Sequence, residues 1–429
     1  MGKTIKQRAG SSFYFCAGKS ASLKNIILIL ISALLLPGCG GSDSHAPSKD
    51  DSLEYYPPTP VSLDRNEFRR YYRLMNSFFD TTLLETPFSG GIIIAKNGSV
   101  IYEKYQGMAD LQHKIPMTDS TSLHMASTGK TFTATAVLRL VQEGRLSLSD
   151  SVNKFFPDFP YPGITLKMLL NHRSGLPNYL YFMSNSDWDK KRKATNEDVI
   201  KMMYSLKPNR VSSPNTRFTY CNTNFMLLAS IVEKVTGIPF PQYMEQKFFI
   251  PLGMTHTYVF TLKDTLTATP SSNYNGNYWD YDFLDGTYGD KNVYSTPRDM
   301  LKWDQSLYTD QVLDPAMKDS AFTGYSFEKP GTHNYGLGWH LEILPNGKKV
   351  IYHYGKWHGF NAAFARLTDE KVTIIILGNR FNRSIYSCAR KAYDFFGEYK
   401  QDRGHDNPEA DTLENEARKP AKSLKKESK

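Results

Sequence analysis

At 429 residues the chain can bury one large core or two lobes sharing a cleft, and its 40% hydrophobic and 22% charged content is that of a globular protein, not a fibre or a disordered chain. The formal charge is +9, but Lys3, Lys6, Arg8, Lys19 and Lys24 supply five of those charges with no acid before residue 39, leaving +4 for all that follows. No basic stripe with interleaved aromatics stands out, which excludes a nucleic-acid partner.

After the basic run an apolar stretch extends from Ile26 to Leu36. It falls short of the roughly 20 residues a bilayer span needs and reads as an export signal over residues 1–38. Leu36-Pro37-Gly38-Cys39 resembles the lipobox of bacterial lipoproteins, which implies that Cys39 is acylated and becomes the mature N-terminus; an ordinary signal peptide cut near Gly38 is the alternative. Both place the mature protein outside the cytoplasm, the first as a lipoprotein held at the bacterial cell envelope. Cys16 leaves with the signal, and two remaining cysteines make no disulfide framework in so large a domain, so Cys221 and Cys388 are expected reduced and buried.

Residues 39–63, with Gly40-Gly41-Ser42 and Pro57-Pro58-Thr59-Pro60, read as a flexible tether. A helix is expected from Asp64 to Thr82 with Phe68, Tyr71, Tyr72, Met75, Phe78 and Phe79 on its apolar face. Gly91–Ala95 and Val100–Tyr102 flank Asn97-Gly98, a strong signal for a tight hairpin. A second helix follows Ser127, with Phe132, Ala136, Val137, Leu140 and Val141 on one stripe. Residues 145–285 read as mainly helical or irregular and include a helix from Asn224 to Thr236. Strands follow at Trp339–Leu344, Lys349–Tyr354, Ala362–Leu367 and Val372–Leu377, then a helix from Ser384 to Phe396. Residues 398–429 are charged, poor in apolar side chains and expected to be disordered. Strands at both ends with helices between predict an α/β fold of the α+β type: an antiparallel sheet of five or more strands built by both termini of a domain at 64–397, with a helical lobe at about 145–285.

Three constellations carry chemistry. Ser127 lies three residues before Lys130, so on a helix both side chains share a face. A serine hydroxyl needs a partner to take its proton. A helix N-terminus and burial both disfavour an ammonium, which suits a lysine acting as that base. Ser-x-x-Lys also occurs at Ser151, Ser326 and Ser423, but only Ser127 stands between a turn-prone run and an apolar helix. Tyr220 and Asn222, two apart on an extended segment, point the same way and offer a phenol and an amide, or else a buried ring and a helix cap. His353-Tyr354-Gly355-Lys356 ends a strand, with Gly355 permitting close backbone approach. His172 is expected to fix its loop. No metal-ligand spacing is present, since His353 and His358 make a weak pair, and neither a metal nor another cofactor is expected.

In this order and spacing the three motifs resemble the serine β-lactamase and penicillin-binding protein superfamily, in its class C-like branch of AmpC-type β-lactamases, D,D-peptidases, D-aminopeptidases and esterases. Ser127/Lys130 matches its Ser-x-x-Lys, Tyr220/Asn222 its Tyr-x-Asn, and His353-Tyr354-Gly355 its Lys-Thr-Gly or His-x-Gly element. Leu169–Pro177, Pro251–Met254, Val293–Thr296 and Tyr335–Trp339 agree as well, over about residues 65 to 397. The resemblance implies two-step acyl transfer. Ser127 attacks a carbonyl after giving its proton to Lys130 or Tyr220; Tyr220 protonates the leaving group, and water releases the acyl group. The backbone N–H groups of Ser127 and Lys356 would form the oxyanion hole, and Asn222 would hold Lys130 and a substrate amide. His353 stands in place of the usual lysine and Asn215 in place of a usual glycine. Tyr354 replaces a Thr or Ser, and its bulky ring is expected to alter the substrate-carboxylate subsite. The expected protein is a monomeric serine hydrolase acting on a small-molecule or peptide substrate, with β-lactam hydrolysis as an alternative and a non-catalytic peptidoglycan-binding sensor as the reading from another class.

Overall fold

The structure, a computed structural model, describes residues 59–400, so the expected signal segment, Cys39 and most of the tether and tail lie outside the described residues. Helix α1 runs Arg65–Asp80 and starts where Asp64 accepts hydrogen bonds from the N–H groups of Asn66 (2.8 Å) and Glu67 (3.3 Å), satisfying two otherwise orphaned donors. Tyr71, Met75 and Phe79 are its buried face, while Phe68 and Tyr72 stay exposed. Strands β1 (Gly90–Lys96) and β2 (Ser99–Gln106) form the expected hairpin. Asn97 and Gly98 both take positive φ (53° and 78°), the mirror-image turn whose twist matches the flanking strands.

The remaining strands of the main sheet come from the C-terminal third: β3 (His333–Tyr335), β4 (His340–Ile343), β5 (Lys349–Trp357), β6 (Phe360–Leu367) and β7 (Val372–Gly378). The seven strands lie in the order β2-β1-β7-β6-β5-β4-β3, every pair antiparallel. Ile92, Ile93 and Ile94 of β1 face Ile376, Ile375 and Ile374 of β7 across the join between the two ends of the domain. Both strands are apolar without alternation because both faces of the sheet are covered. On one face α1 and helix α5 (Ser384–Tyr393) bury Ile92, Ile94, Ala363, Ala365, Ile374 and Ile376. On the other lie helix α2 (Lys130–Gln142), helix α3 (Asn222–Thr236) and helix α4 (Pro297–Ser306).

Strand β3 was not visible in the sequence, being three residues beside a Pro-Gly loop. Helix α2 also differs from the expected single stripe: every residue from Lys130 to Leu140 is buried, since the helix runs through the interior against α3 and the sheet. Short helices fill much of 152–249, and Tyr258–Val259 and Leu123–His124 flank Val293–Ser295 in a small second sheet. Cys221 and Cys388 are reduced and buried.

A buried ion pair ties α4 to the sheet. Arg366 Nε donates to Asp304 Oδ1 at 2.6 Å, and Thr373 donates its hydroxyl to Oδ2 of the same carboxylate. Both charged side chains are fully enclosed, and removing one partner of such a pair strands the other. Asp304→Ala should therefore lower the unfolding free energy by about 3–5 kcal/mol, read from urea midpoints at constant m-value.

Candidate active site

Ser127 sits on a single tight helical turn, Ala126–Gly129, that leads directly into α2. The residue before it, Ala126, has φ 47°, a left-handed conformation that an alanine adopts only when its surroundings impose it. Two anchors impose it here. The Met125 N–H donates to Val293 O at 2.7 Å, and the Ala126 N–H donates to Nδ1 of His124 at 2.9 Å. His124 is fixed in turn by its Nε2 against Asn292 Oδ1 at 2.8 Å.

Lys130 is fully buried, with Nζ 3.0 Å from Ser127 Oγ, 2.8 Å from Asn222 Oδ1 and 2.7 Å from the backbone oxygen of Asp290. The Asp290 oxygen can only accept. Asn222 accepts through its amide oxygen as placed, and only the serine hydroxyl can also donate. An uncharged amine that gives its two N–H groups to Asn222 and Asp290 thus turns its lone pair toward the Ser127 proton. The Tyr220 ring centroid lies 5.0 Å from Nζ. Cys221 is extended and Asn222 begins α3, so Tyr220 and Asn222 both face the cavity while Cys221 turns inward, where burial pushes its thiol up to about 11.

His172 fixes its loop and also supports Tyr220. It has φ 55°; Nδ1 accepts from the Cys221 N–H and from Asn224 Nδ2, each at 3.2 Å, and its ring lies 4.2 Å from that of Tyr220. Burial holds its pKa well below the usual histidine value. Asn215 takes φ 61° in place of the glycine of the resemblance and accepts from Arg173 Nε at 2.9 Å.

Strand β5 brings the third motif alongside. β4 pairs only with Lys349–Tyr352, so from His353 onward β5 runs past the Ser127 turn instead of a strand. Thr128 donates its hydroxyl to His353 O at 3.1 Å. At Gly355 an added Cβ would lie 2.5 Å from Met125 O and 2.8 Å from the Ser127 nitrogen. Only glycine allows this approach. The His353 side chain is fully buried; Nδ1 donates to Tyr354 O at 2.8 Å, and Nε2 lies 3.2 Å from Tyr335 Oη.

The expectation for the Tyr354 side chain needs correction. Its ring packs beside Tyr352 and Tyr386 in the core under α5, with its hydroxyl 2.5 Å from that of Tyr393. Side chains alternate across a strand, so the ring goes to the opposite face from His353 and does not project into the subsite, although the residue still lines the cavity.

Ser127, Tyr220, Asn222, Asp290, Lys356 and Trp357 line a cavity of about 590 Å³, together with Tyr181, Phe218, Tyr335 and His340. The roles of Asp290, Tyr335 and His340 were not read from the sequence. Tyr335 and the residues just after Asp290 fall in the flanking stretches that agreed with the superfamily, but nothing in a linear pattern says which backbone oxygen meets Lys130. Among the described residues, Asp282, Asp285 and His358 form the group whose donor atoms, all within 4.8 Å, could hold a metal. There Asp285 already accepts from Trp357 Nε1 at 2.6 Å and lies 3.1 Å from His358 Nε2.

A serine, a buried amine and a phenol ring brought together beside an antiparallel sheet fit the β-lactamase/transpeptidase-like class, and the family named Beta-lactamase matches residues 86–395: the chain belongs to it. It is 31% identical over 334 residues to a penicillin-binding protein of Bacillus subtilis (strain 168), covering 73% of each chain. Its fold is similar to that of a penicillin-binding protein from Bacillus halodurans (TM-score 0.65, 22% identity, 78% of this chain and 100% of that one). It is also similar to a D-amino acid amidase from Ochrobactrum anthropi SV3 (TM-score 0.63, 22% identity, 77% and 99%).

Two outcomes follow. Gly355→Ala should slow modification of Ser127 by a fluorophosphonate about 100-fold or more, because the added methyl forces the serine turn out of place; labelling rates against unchanged far-UV circular dichroism check it. The second concerns pH. Burial lowers the His124 pKa from 6.5 to about 3. The unfolded chain therefore binds more protons than the native one between those values, so this group's contribution to stability is lost as pH falls from about 6.5 toward 3. Urea midpoints across that window should fall, and His124→Asn should flatten the trend.

Proposed function

We propose that this protein is a serine hydrolase that forms an acyl-enzyme on Ser127 and hydrolyses an ester, amide or peptide bond, as an esterase, a D-aminopeptidase or a D,D-carboxypeptidase does. One observation carries the reading: a fully buried amine, Lys130 Nζ, stands 3.0 Å from Ser127 Oγ at the wall of a substrate-sized cavity. Lys130 takes the Oγ proton as the serine oxygen bonds to the carbonyl carbon. The Ser127 and Lys356 N–H groups hold the developing oxyanion, each donor of this kind being worth about 3 kcal/mol. When the bond to the leaving group breaks, Tyr220 supplies the proton that carries the alcohol or amine away. Lys130 passes the serine's proton to Tyr220; water then gives a proton to Lys130 as it attacks the ester, and Lys130 returns that proton to Ser127 Oγ as the acyl group leaves. Asn222 keeps Lys130 in place and presents an amide to the substrate. The similarity to a D-amino acid amidase and to penicillin-binding proteins supports cleavage next to an amide.

Hydrolysis of β-lactams in the manner of a class C enzyme is the second reading. It is favoured by the Tyr354 ring being turned to the far face, which leaves its subsite open. The Ile26–Leu36 stretch and Cys39 support action as a lipid-anchored monomer of the cell envelope on a small-molecule or peptide substrate.

Labelling wild type and Ser127→Ala with a fluorophosphonate and a fluorescent penicillin tests these readings. The expected result is fluorophosphonate labelling that disappears in Ser127→Ala, with no stable penicillin adduct. Penicillin labelling with rapid turnover supports the β-lactamase, and no Ser127-dependent label from either probe leaves the non-catalytic sensor. Lys130→Met should slow the wild-type reaction about 10²- to 10⁴-fold, the range of a lost general base.

A further inference from the structure

Beside the catalytic cluster lies a second buried lysine that the reaction as written does not use. Lys291, 3% exposed, donates from Nζ to Tyr179 Oη at 2.7 Å, to Thr287 Oγ1 at 2.5 Å and to Thr287 O at 3.4 Å. The Tyr179 hydroxyl donates to Asp290 Oδ2 at 2.9 Å, and Lys291 Nζ is 3.9 Å from Asp290 Oδ1. Tyr179 and Asp290 are equally buried. The ammonium also lies 5.3 Å from the Tyr179 ring and 4.8 Å from the ring of Trp357, the residue after Lys356. Buried charges are tolerated when paired; here Asp290 Oδ1 accepts no hydrogen bond and faces the Lys291 ammonium at 3.9 Å, so the pair fixes geometry more than it adds stability. What is fixed here is Asp290, whose backbone oxygen is the third partner of Lys130.

We propose that Lys291 is a positioning residue: through Tyr179 and the Asp290 carboxylate it locks the Asp290 carbonyl against Lys130, and its charge opposes a proton on that amine. The inference rests on the acyl-transfer reading above. Burial and the adjacent Asp290 carboxylate raise the Tyr179 pKa well above the usual tyrosine value, so its hydroxyl keeps the proton that bridges the two charges. The groups facing Lys130 are Asn222 and Tyr220 from the start of α3, His172 from its loop, Asp290 and Ser127. In Lys291→Met the Asp290 carboxylate loses its counter-charge, so the nearby amine holds its proton to higher pH.

The test is the rate of fluorophosphonate labelling at Ser127 between pH 5 and 10, on the full chain. Lys291→Met should label at least about 10-fold more slowly at pH 7, with its half-maximal pH about one unit higher, as for any perturbation near 1.4 kcal/mol. Tyr179→Phe, which deletes one hydroxyl, should move the same way by less. Lys291→Met combined with Asp290→Asn removes both charges and should return the midpoint toward wild type, which a merely structural role for Lys291 does not explain. Wild-type labelling with unshifted pH profiles in Lys291→Met and Tyr179→Phe overturns this inference alone. A wild type unlabelled at Ser127 overturns the proposed function and this inference together.

Discussion

The site depends on an amine taken wholly out of water. Leaving Lys130 solvated would give an ordinary ammonium, and burying it alone would cost several kcal/mol. The fold instead surrounds Nζ with Ser127 Oγ, Asn222 Oδ1 and the Asp290 oxygen, all within 3.0 Å. These three groups come from the turn that opens α2, the first residue of α3 and a loop far along the chain. Each element therefore has to be held to a fraction of an ångström, and much of the surrounding architecture serves that end.

The sheet supplies the reference frame. Because β1 pairs with β7 along the Ile92–Ile94 and Ile374–Ile376 register, the two ends of the domain close on one another, and β5 is set at a fixed height over α2. The missing side chain at Gly355 then lets strand and serine turn approach to backbone contact. The strained Ala126 is the other half of the arrangement, its left-handed backbone held open by His124 and by the Val293 oxygen. Close packing on both sides leaves the Ser127 hydroxyl little freedom except toward the cavity.

The polar groups around the cavity are held by a buried network. His172 braces Tyr220 from below while its Nδ1 receives the backbone of Cys221 and the side chain of Asn224. Asp285 joins Trp357 and His358 just past Lys356, so the end of β5 is tied to the same 285–292 segment that carries Asp290 and Lys291. A substitution in that segment reaches Ser127 through two routes, the carbonyl on Lys130 and the strand end beside it.

Much of this was legible in the sequence. The Asn97-Gly98 hairpin, the apolar strands near the C-terminus and the three short motifs are local patterns, set by backbone preference and side-chain spacing, and the motifs, through the family they resemble, mark Ser127, Lys130, Tyr220 and Asn222 as candidates. Tyr354 shows where that reading stops: its neighbours in sequence place it in the motif, yet the pleat turns its ring into the opposite core. Asp290, Lys291, Tyr179 and His340 had no linear signature, because a backbone oxygen or a buried counter-charge is defined only by what lies across from it. Sequence by itself determined most of the longer elements and the candidate residue set, since both follow from local chemistry. Only tertiary structure decided which partners meet, because those distances depend on how strands and helices remote in sequence pack together.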